Sequence, residues 1–393
     1  MQNRAAVNGK ATVEVLRARS TEMLDDLRAC VEIETPSRDK ARCDAFVPFF
    51  TELATRYGGR CERIANRDGG DHLVVRWGKS GEAPLDSARD RPVLFLGHYD
   101  TVWPAGTLAR KPFTVMDGVA RGPGVFDMKA GLVQALWAAR LVHANGSAAP
   151  PITFVVNSDE EIGSVTSRAM IEDEARKARA VFVFEPSFHG AVKTARKGVG
   201  IYTVEVEGRA AHAGSEPENG INAIDELARA TLAIHALGNP KAGTSIYVDV
   251  VSGGTVRNTI AAYARGEIDM RAATNAEAKR IDDALHALRP HHPEAKVTIT
   301  GGLNRPPMER SPKIADLYAR AKAIAMQLGF TLEEASVGGG SDGNFAAAVG
   351  AGVLDGIGAV GEGAHAEHEH VHVGAMAERT ALVIDLVRSL AAG

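Results

Sequence analysis

Apolar runs rich in β-branched residues alternate with amphipathic stretches along the first half of the chain. The runs have the length and composition of buried strands, and the stretches have the apolar spacing of helices. The predicted strands cover residues 93–96, 152–156 and 181–184, and the predicted helices between them cover residues 129–144 and 164–177. Asn145 and Gly146 follow the first of these helices and are typical of a helix C-terminus. Because alternating strands and helices are joined by crossover connections, the pattern predicts an α/β fold, with a mostly parallel sheet and helices on both of its faces.

A different pattern occupies the middle of the chain. Its strands and helices follow one another in the order β-α-β-β-α-β, which is that of a ferredoxin-like sandwich. The predicted strands cover residues 201–206, 245–251, 262–270 and 297–300, and the predicted helices cover residues 222–235 and 277–288. The α/β pattern resumes after Pro306 and Pro307. The predicted α/β domain therefore covers residues 1–197 and 306–393, and the inserted α+β domain covers residues 198–305.

The composition narrows the classes of function. A chain of 393 residues with 45% apolar residues can fill two hydrophobic cores. Its net charge of −4, with no long run of either sign, argues against nucleic acid and membrane surfaces as partners. Cys30, Cys43 and Cys61 lack the spacing of a metal or redox motif and fit reduced thiols in a cytoplasm. The chain shows no apolar segment typical of a secretory signal or a membrane helix.

Side chains that can bind metals follow the three predicted strands of the α/β domain. The first strand leads into His98 and Asp100, the second into Asp159, Glu160 and Glu161, and the third into Glu185. Asp127 lies just before the helix that follows the first strand. Because the carboxyl ends of parallel strands meet at one edge of the sheet, we expect these side chains to converge. A lone acid is usually a solvated loop residue or a helix cap, but three successive strand ends are harder to explain in that way.

A metal site accounts for such a cluster. Neighbouring carboxylates repel one another unless cations or protons lie between them. Histidine and carboxylate donors without thiolates suit zinc in a catalytic role, with cobalt or manganese as alternatives. The donors outnumber those that one tetrahedral zinc needs, so two metals that share a carboxylate fit better. Two zinc ions would exceed the charge of three ligand carboxylates by one positive charge, which favours bound hydroxide over water.

Seven segments of the chain form a recognisable series. They read GHYDTV, RGPGVFDMKAG, NSDEEIGS, FEPS, AAHAG, GGGSDGNF and GAHAEHEHV, and they cover the chain from about Val93 to about Val373. In this order they resemble the motifs of the aminoacylase/glutamate-carboxypeptidase family of co-catalytic zinc metallopeptidases, most closely its folate-cleaving glutamate carboxypeptidase branch. The resemblance implies a catalytic α/β domain with an inserted ferredoxin-like lid. It also implies a homodimer formed through that insert.

The resemblance also implies a role for each matching residue. The implied metal ligands are His98, Asp127, Glu161, Glu185 and His365, and the implied substrate-binding residues are Arg271 and Asn258. Ser341 is predicted to line the substrate pocket as part of a glycine-rich turn. Asp127 would bridge two zinc ions, and its peptide bond to Met128 would be cis. Glu160 is implied as the general base and Asp100 as the residue that orients His98. His212 would polarise the substrate carbonyl in the site of the partner subunit.

The histidines near the C-terminus leave two questions open. His365 has the family's H-x-x-x-E spacing with Glu369, but His368 is close enough in sequence to be the ligand instead. His368, His370 and His372 recur at strand period, which favours one polar face of a strand over accessory metal binding.

The resemblance thus implies a hydrolase with two zinc ions that cleaves an amide bond next to a free carboxylate. It would release a C-terminal amino acid such as glutamate. An N-acyl-amino-acid amidohydrolase with another acyl group is the close alternative, while a non-catalytic binding protein and a metal-buffering protein are further ones. Glu160 argues against a pure binding protein, which needs no base. Taken alone, Arg271 is typical of a surface strand and Ser341 of a tight turn.

Overall fold

The computed structural model describes residues 12–78, 91–144 and 149–392. Asn145 and Gly146, which the sequence predicts at a helix end, lie outside the described residues. The described chain divides into two compact units. The second unit comprises Ala195–Glu309 and Val337–Gly340, and the first unit comprises the remaining described residues. None of the helices in the described ranges combines the length and apolarity needed to cross a bilayer.

The strands and helices are numbered here along the chain. The strands are β1 (Arg60–Ile64), β2 (His72–Trp77), β3 (Val93–His98), β4 (Thr114–Met116), β5 (Val119–Arg121), β6 (Ile152–Asn157), β7 (Ala180–Val183), β8 (Val192–Arg196), β9 (Gly198–Glu207), β10 (Ser245–Gly253), β11 (Tyr263–Ala272), β12 (Lys296–Arg305), β13 (Glu334–Val337), β14 (Val353–Leu354), β15 (Gly361–Glu362) and β16 (His370–His372). The helices are α1 (Ser20–Val31), α2 (Lys40–Arg56), α3 (Thr107–Arg110), α4 (Ala130–Val142), α5 (Arg168–Lys177), α6 (Ala223–His235), α7 (Asn275–His286), α8 (Pro312–Leu328), α9 (Gly343–Ala348) and α10 (Val373–Ser389).

A six-stranded sheet in the order β1-β2-β6-β3-β7-β14 forms the centre of the first unit. The last four strands are parallel, so the predicted mostly parallel sheet is confirmed. β1 and β2 add an antiparallel edge. The sequence pattern does not predict β1, because this largely exposed edge strand reads RCERI and carries few apolar residues.

Crossover connections place helices on both faces of this sheet. The chain passes from β3 through α4 to β6, and from β6 through α5 to β7. These two steps run in opposite directions across the sheet. Because such crossovers are right-handed, α4 and α5 lie on opposite faces. α4 is buried along most of its length and packs against α1 and α10.

The second unit is a four-stranded antiparallel sheet in the order β10-β11-β9-β12, accompanied by α6 and α7. Along the chain its elements follow the order β-α-β-β-α-β, as the sequence pattern predicts. The unit has its own core, which includes Tyr202, Ile234, Met270 and Ile281. β10 is an edge strand whose outward positions are exposed.

Candidate metal centre

Polar side chains stand at the carboxyl ends of three neighbouring parallel strands. β3 lies between β6 and β7 in the sheet. His98 is the last residue of β3, Glu160 and Glu161 begin a short 3-10 helix after β6, and Glu185 follows β7 by two residues. The apolar character of the strands therefore fixes where these side chains emerge, and the parallel sheet brings them to one edge.

Asp127 lies between two imidazoles. Its Oδ1 is 3.2 Å from Nε2 of His98, and its Oδ2 is 3.3 Å from Nε2 of His365. Nε2 of His98 is also 3.6 Å from the carboxylate of Glu185. Nε2 of His365 is 3.1 Å from the carboxylate of Glu161. Each oxygen of Asp127 thus faces a separate group of donors, which is the arrangement of a bridging carboxylate.

The distances between donor atoms fit zinc. With bonds of about 2.0–2.2 Å, two ligands of a tetrahedral zinc lie about 3.3–3.6 Å apart. The four donor separations around Asp127 range from 3.1 to 3.6 Å. The donor set consists of imidazole nitrogens and carboxylate oxygens without thiolates, which also suits zinc.

Neighbouring carboxylates raise the pKa of both imidazoles. Hydrogen bonds to Asp127 and Glu161 raise the pKa of His365 to about 11. Burial lowers the pKa of His98, but hydrogen bonds to carboxylates, of which the one to Asp100 contributes most, outweigh burial and raise that pKa above its usual value. Both rings are therefore held in a strongly negative environment, which also attracts metal cations.

The pKa values of Asp127 and Glu161 shift in opposite directions. Burial raises the pKa of Asp127, but hydrogen bonds from His365 and His98 outweigh burial and lower it below its usual value. Burial and the nearby charge of Asp127 raise the pKa of Glu161 to about 7. Metal ligation at these residues requires neutral imidazoles and ionised carboxylates, so metal binding would release protons.

Asp100 organises two sides of the cluster. Its Oδ1 lies 3.4 Å from Nδ1 of His98, and its backbone carbonyl lies 3.0 Å from the same nitrogen. Its carboxylate also accepts the backbone amides of Glu160 at 3.2 Å and Glu161 at 3.3 Å. Asp100 is fully buried, so these contacts are shielded from water.

Glu160 lies within reach of donor atoms as well. His98, Glu160 and Glu185 offer three donor atoms within 4.8 Å of one another, as do His98, Asp127 and Glu161. The geometry therefore places Glu160 beside the proposed ligands. Whether it acts as base or ligand stays a prediction.

Asp159 differs from the two acids that follow it. Its carboxylate accepts the amide and hydroxyl of Thr166 at 2.7 Å and the hydroxyl of Ser167 at 2.6 Å. It is buried and belongs to neither group of clustered donors. Asp159 thus fixes the turn on which Glu160 and Glu161 are carried.

Glu369 is a buried residue whose contacts the sequence patterns do not reveal. Its carboxylate accepts the backbone amides of Gly124, Phe126 and Asp127 and the indole N–H of Trp103. Burial raises its pKa, while the three backbone hydrogen bonds oppose that shift. The available signal is strand period: Glu369 precedes the buried Val371 by two residues and therefore faces inward.

The C-terminal histidines occupy distinct environments. His365 has a left-handed φ of 62°, a conformation that persists where its surroundings fix it. His370 and His372 flank the buried Val371 on β16, and their rings lie 5.3 Å apart. The predicted strand is confirmed for these two positions. His368 is exposed and precedes the strand.

The peptide bond between Asp127 and Met128 is cis, as the resemblance implies.

Ser341 is completely buried in the first unit. Its hydroxyl donates to Oδ2 of Asp355 and accepts the amide of Gly343 at 3.0 Å. These bonds give Ser341 a structural function at the start of α9. Its contact with substrate stays a prediction.

The other predicted substrate-binding residues lie in the second unit. His212 is exposed, and its Nδ1 accepts the amides of Gly214 at 3.1 Å and Ser215 at 3.0 Å. Asn258 lies beside it, because its carbonyl accepts the amide of Ala213 at 3.0 Å.

Arg271 is the second-to-last residue of β11 and is partly exposed. Its Nε and Nη2 bind the two carboxylate oxygens of Asp269, each at 2.8 Å. An arginine side chain has five N–H donors, so three remain beyond this pair.

A cavity of about 510 Å³ in the first unit contains none of the predicted site residues. It lies beside the residues that precede β3, β7 and β14, so it is at the opposite end of the strands from His98. Two of the cations that line it, Arg91 and Lys313, donate to carbonyls of Arg176, Lys177 and Gly350. These cations therefore serve as caps for chain segments at helix ends.

Known proteins resemble this chain in sequence and structure. It is 32% identical to carboxypeptidase G2 of Pseudomonas sp. (strain RS-16) over 310 residues, which cover 77% of this chain and 74% of that protein. It is 30% identical to succinyl-diaminopimelate desuccinylase of Herminiimonas arsenicoxydans over 347 residues, covering 82% and 87% of the two chains. Its fold is similar to that of aminopeptidase PepT from Bacillus cereus, with a TM-score of 0.75 at 21% identity over 95% and 99% of the chains.

A family description matches most of the chain. The model of peptidase family M20/M25/M40 matches residues 94–389, which include all the residues proposed here as metal ligands. This match and the structural likeness confirm the predicted family and fold class. The chain therefore belongs to peptidase family M20/M25/M40 and is a metallohydrolase of that family.

Proposed function

We propose that this protein is a carboxypeptidase that hydrolyses an amide bond next to a free carboxylate and releases a C-terminal amino acid, with glutamate as the preferred residue. The observation that carries the proposal is the position of Asp127, whose two oxygens face two separate groups of donors. A bridged pair of metals suits hydrolysis of a stable amide.

Two metal ions would be held by residues of the first unit. His98, Asp127 and Glu185 would hold one ion, and Asp127, Glu161 and His365 would hold the other. Bound zinc supplies Lewis acidity and lowers the pKa of water, and cobalt or manganese could replace it. The distances around His365 support this residue, rather than His368, as the ligand.

Glu160 is the proposed general base. It would accept a proton from the attacking water and later donate it to the leaving amine. Its support is its position next to Glu161 on a turn whose amides Asp100 accepts. The same buried Asp100 contacts the ring of His98, so it would fix the position of the base relative to the metal ligands.

His212 is the proposed donor to the substrate carbonyl oxygen. Its Nδ1 accepts two backbone amides, so a neutral ring carries its proton on Nε2. That N–H is a donor suited to an oxygen on which negative charge develops. Asn258, which neighbours it in the second unit, would add a second donor to the same oxygen.

Arg271 is the proposed reader of the free carboxylate. Its planar fork already binds one carboxylate, that of Asp269, through two equal contacts. The three remaining N–H donors suit a second carboxylate. Asp269 would hold the guanidinium in a fixed orientation on β11 for that purpose.

The alternative is an N-acyl-amino-acid amidohydrolase that takes a different acyl group. The likeness to a succinyl-diaminopimelate desuccinylase favours it, because the name describes removal of an acyl group from an amine. Likeness to carboxypeptidase G2, at 32% identity, favours release of a C-terminal amino acid.

We also propose that residues 198–305 form a lid through which two chains pair. The edge of β10 supports this, because no other described strand pairs with it there and because Tyr247, Val250 and Val251 are each more than half exposed. Pairing of two such edges would cover apolar side chains and unpaired backbone groups.

A substrate panel tests the proposed activity. The chain, with zinc restored, is incubated with N-acyl glutamates, folate-type amides, peptides with other C-terminal residues and N-succinyl amines. The proposal expects fastest release of glutamate from substrates with a free α-carboxylate. Faster cleavage of N-succinyl amino acids that do not release glutamate would instead support the amidohydrolase.

A further inference from the structure

Glu369 connects two segments that are far apart in sequence. Its Oε1 accepts the amide of Phe126 at 2.9 Å and that of Asp127 at 3.1 Å. Its Oε2 accepts the amide of Gly124 at 2.9 Å and Nε1 of Trp103 at 2.7 Å. All four partners are N–H donors, and none is a cationic side chain.

The contacts require an ionised carboxylate that is fully occupied. Each oxygen accepts two hydrogen bonds, which uses the four lone-pair positions of a carboxylate. Glu369 is only 2% exposed, so water contributes little to its solvation. A buried carboxylate that lacks such hydrogen-bond partners is strongly destabilising. The loop amides therefore take the place of water, and the carboxylate in turn fixes the loop.

The loop that Glu369 holds needs such support. Gly124 has a left-handed φ of 69°, and a Cβ there would lie 2.5 Å from Cγ2 of Thr101. Val125–Lys129 form a short, kinked helical turn, in which Asp127 has non-helical backbone angles. The backbone amides of Gly124, Phe126 and Asp127 all donate to the carboxylate of Glu369. The direction of the Asp127 carboxylate thus depends on Glu369.

Glu369 also lies close in sequence to the second imidazole. His365 precedes it by four residues, and its ring contacts Oδ2 of Asp127 at 3.3 Å. The amide of Glu369 donates to the carbonyl of Ala366 at 3.0 Å, so the intervening segment is a tight turn. One side chain therefore ties the turn that carries His365 to the loop that carries Asp127.

We propose that Glu369 is a positioning residue that organises the two-metal centre, by fixing the Asp127 loop against the His365 turn before any metal binds. This inference rests on the proposed metal site, because its consequence is metal affinity. The carboxylate would not touch substrate or metal. It would act by keeping the two carboxylate oxygens of Asp127 directed at the imidazoles of His98 and His365.

The first test is Glu369→Gln in the full chain. The amide has the same shape, but its nitrogen is a donor and would face two N–H groups. Zinc affinity, measured by competition with a chelator, should fall roughly 10- to 100-fold, as for other residues that support metal ligands. Retention of two metals at wild-type affinity would overturn the proposal.

Glu226→Gln is the matched control. Glu226 is also buried and accepts two backbone amides, those of His291 at 2.7 Å and His292 at 3.0 Å, but it lies in the second unit. Its replacement should lower stability and leave zinc affinity unchanged. An equal loss of zinc affinity in both variants would mean that Glu369 acts only through global stability, and it would overturn the proposal.

A second measurement needs no variant. In metal-stripped wild type, hydrogen exchange at the amides of Phe126 and Asp127 should be slow, because Glu369 accepts them without metal. Exchange at the rate of an unstructured loop would contradict the proposal even if Glu369→Gln fails to fold. A wild-type chain that binds no metal would contradict the proposed function instead, while the exchange result would still test Glu369.

Discussion

The backbone amide of Glu160 donates to Oδ1 of Asp100 at 3.2 Å, across sixty residues of sequence. The other oxygen of Asp100 accepts the amide of Glu161 at 3.3 Å. The same carboxylate lies 3.4 Å from the ring of His98. One buried side chain thus contacts the proposed base, Glu160, and two proposed ligands, His98 and Glu161. Substitutions of Glu160 and Glu161 can then distinguish the base from its neighbouring ligand.

Glu160→Ala should keep two metals and lose turnover by about two to four powers of ten, since that is the usual contribution of general acid–base catalysis. Metal content and kcat are measured together, with Glu161→Ala as the comparison. Glu161→Ala should lose metal, because the carboxylate of Glu161 lies 3.1 Å from His365. Equal loss of metal in both variants would mean that Glu160 is a ligand.

Arg271→Ala should lower kcat/KM for substrates with a free carboxylate far more than for the corresponding amides. Loss of a hydrogen bond to a charged group costs about 1.5–3 kcal/mol, or roughly 10- to 150-fold in kcat/KM. Arg265→Ala is the control, because Arg265 lies on the same strand and pairs with Glu267 at 3.2 Å. An equal loss on free acids and amides would show that Arg271 only supports the fold.

If His212 acts in the site of the partner subunit, as the resemblance implies, mixing two inactive variants should restore activity. Subunits of His212→Ala and Glu160→Ala are exchanged, and the activity of the mixture is measured. If His212 serves the partner's site, each mixed dimer has one intact site, so roughly a quarter of wild-type activity should return. Action within one chain predicts no recovery.

A mixture of Glu160→Ala and Asp127→Ala is the control for this experiment. Both residues belong to the first unit, and each proposed site takes them from one chain. No mixed dimer would then contain an intact site. Recovery in this control would show that exchange creates activity for another reason.

Asp71 predicts how stability depends on pH. Burial raises its pKa, but bonds from the Asn66 amide, Lys40 and Arg63 outweigh burial and lower it to about 2. Because the folded pKa lies below the unfolded one, this stabilisation is present above about pH 4 and is lost towards pH 2.

Asp71→Asn should therefore lower the thermal unfolding midpoint at pH 7. The free energy of unfolding should fall by about 1–3 kcal/mol, as for a buried polar group that loses its partners. The difference from wild type should shrink between pH 4 and pH 2. Thermal unfolding at pH 7, 4 and 2 measures this. A difference that stays constant over that range would contradict the assigned role of Asp71.

The strands and their terminal side chains could be predicted because they depend on local pattern. Apolar runs identify β3, β6 and β7, and the rules for parallel sheets bring His98, Glu161 and Glu185 to one edge. The same reasoning could not separate Asp159 from the two acids after it. That distinction depends on the register of a turn, which directs Asp159 to Thr166 and Ser167.

Glu369 could not be assigned from pattern for a different reason. Strand period places it inward, beside Val371, but its partners are the amides of a loop 242 to 245 residues away in sequence. Such pairing is set by how two irregular segments meet. Neither propensity nor spacing within one segment reports it.

Metal content tests the central claim most directly. Zinc is titrated into the stripped wild-type chain and into Asp127→Ala, and bound metal and amino-acid release are measured at each step. The shared position of Asp127 predicts two zinc ions per wild-type chain, activity that follows their binding, and loss of both ions together in the variant. A wild-type chain that is fully active with one zinc ion, or a variant that retains one ion at normal affinity, would contradict the bridged two-metal centre.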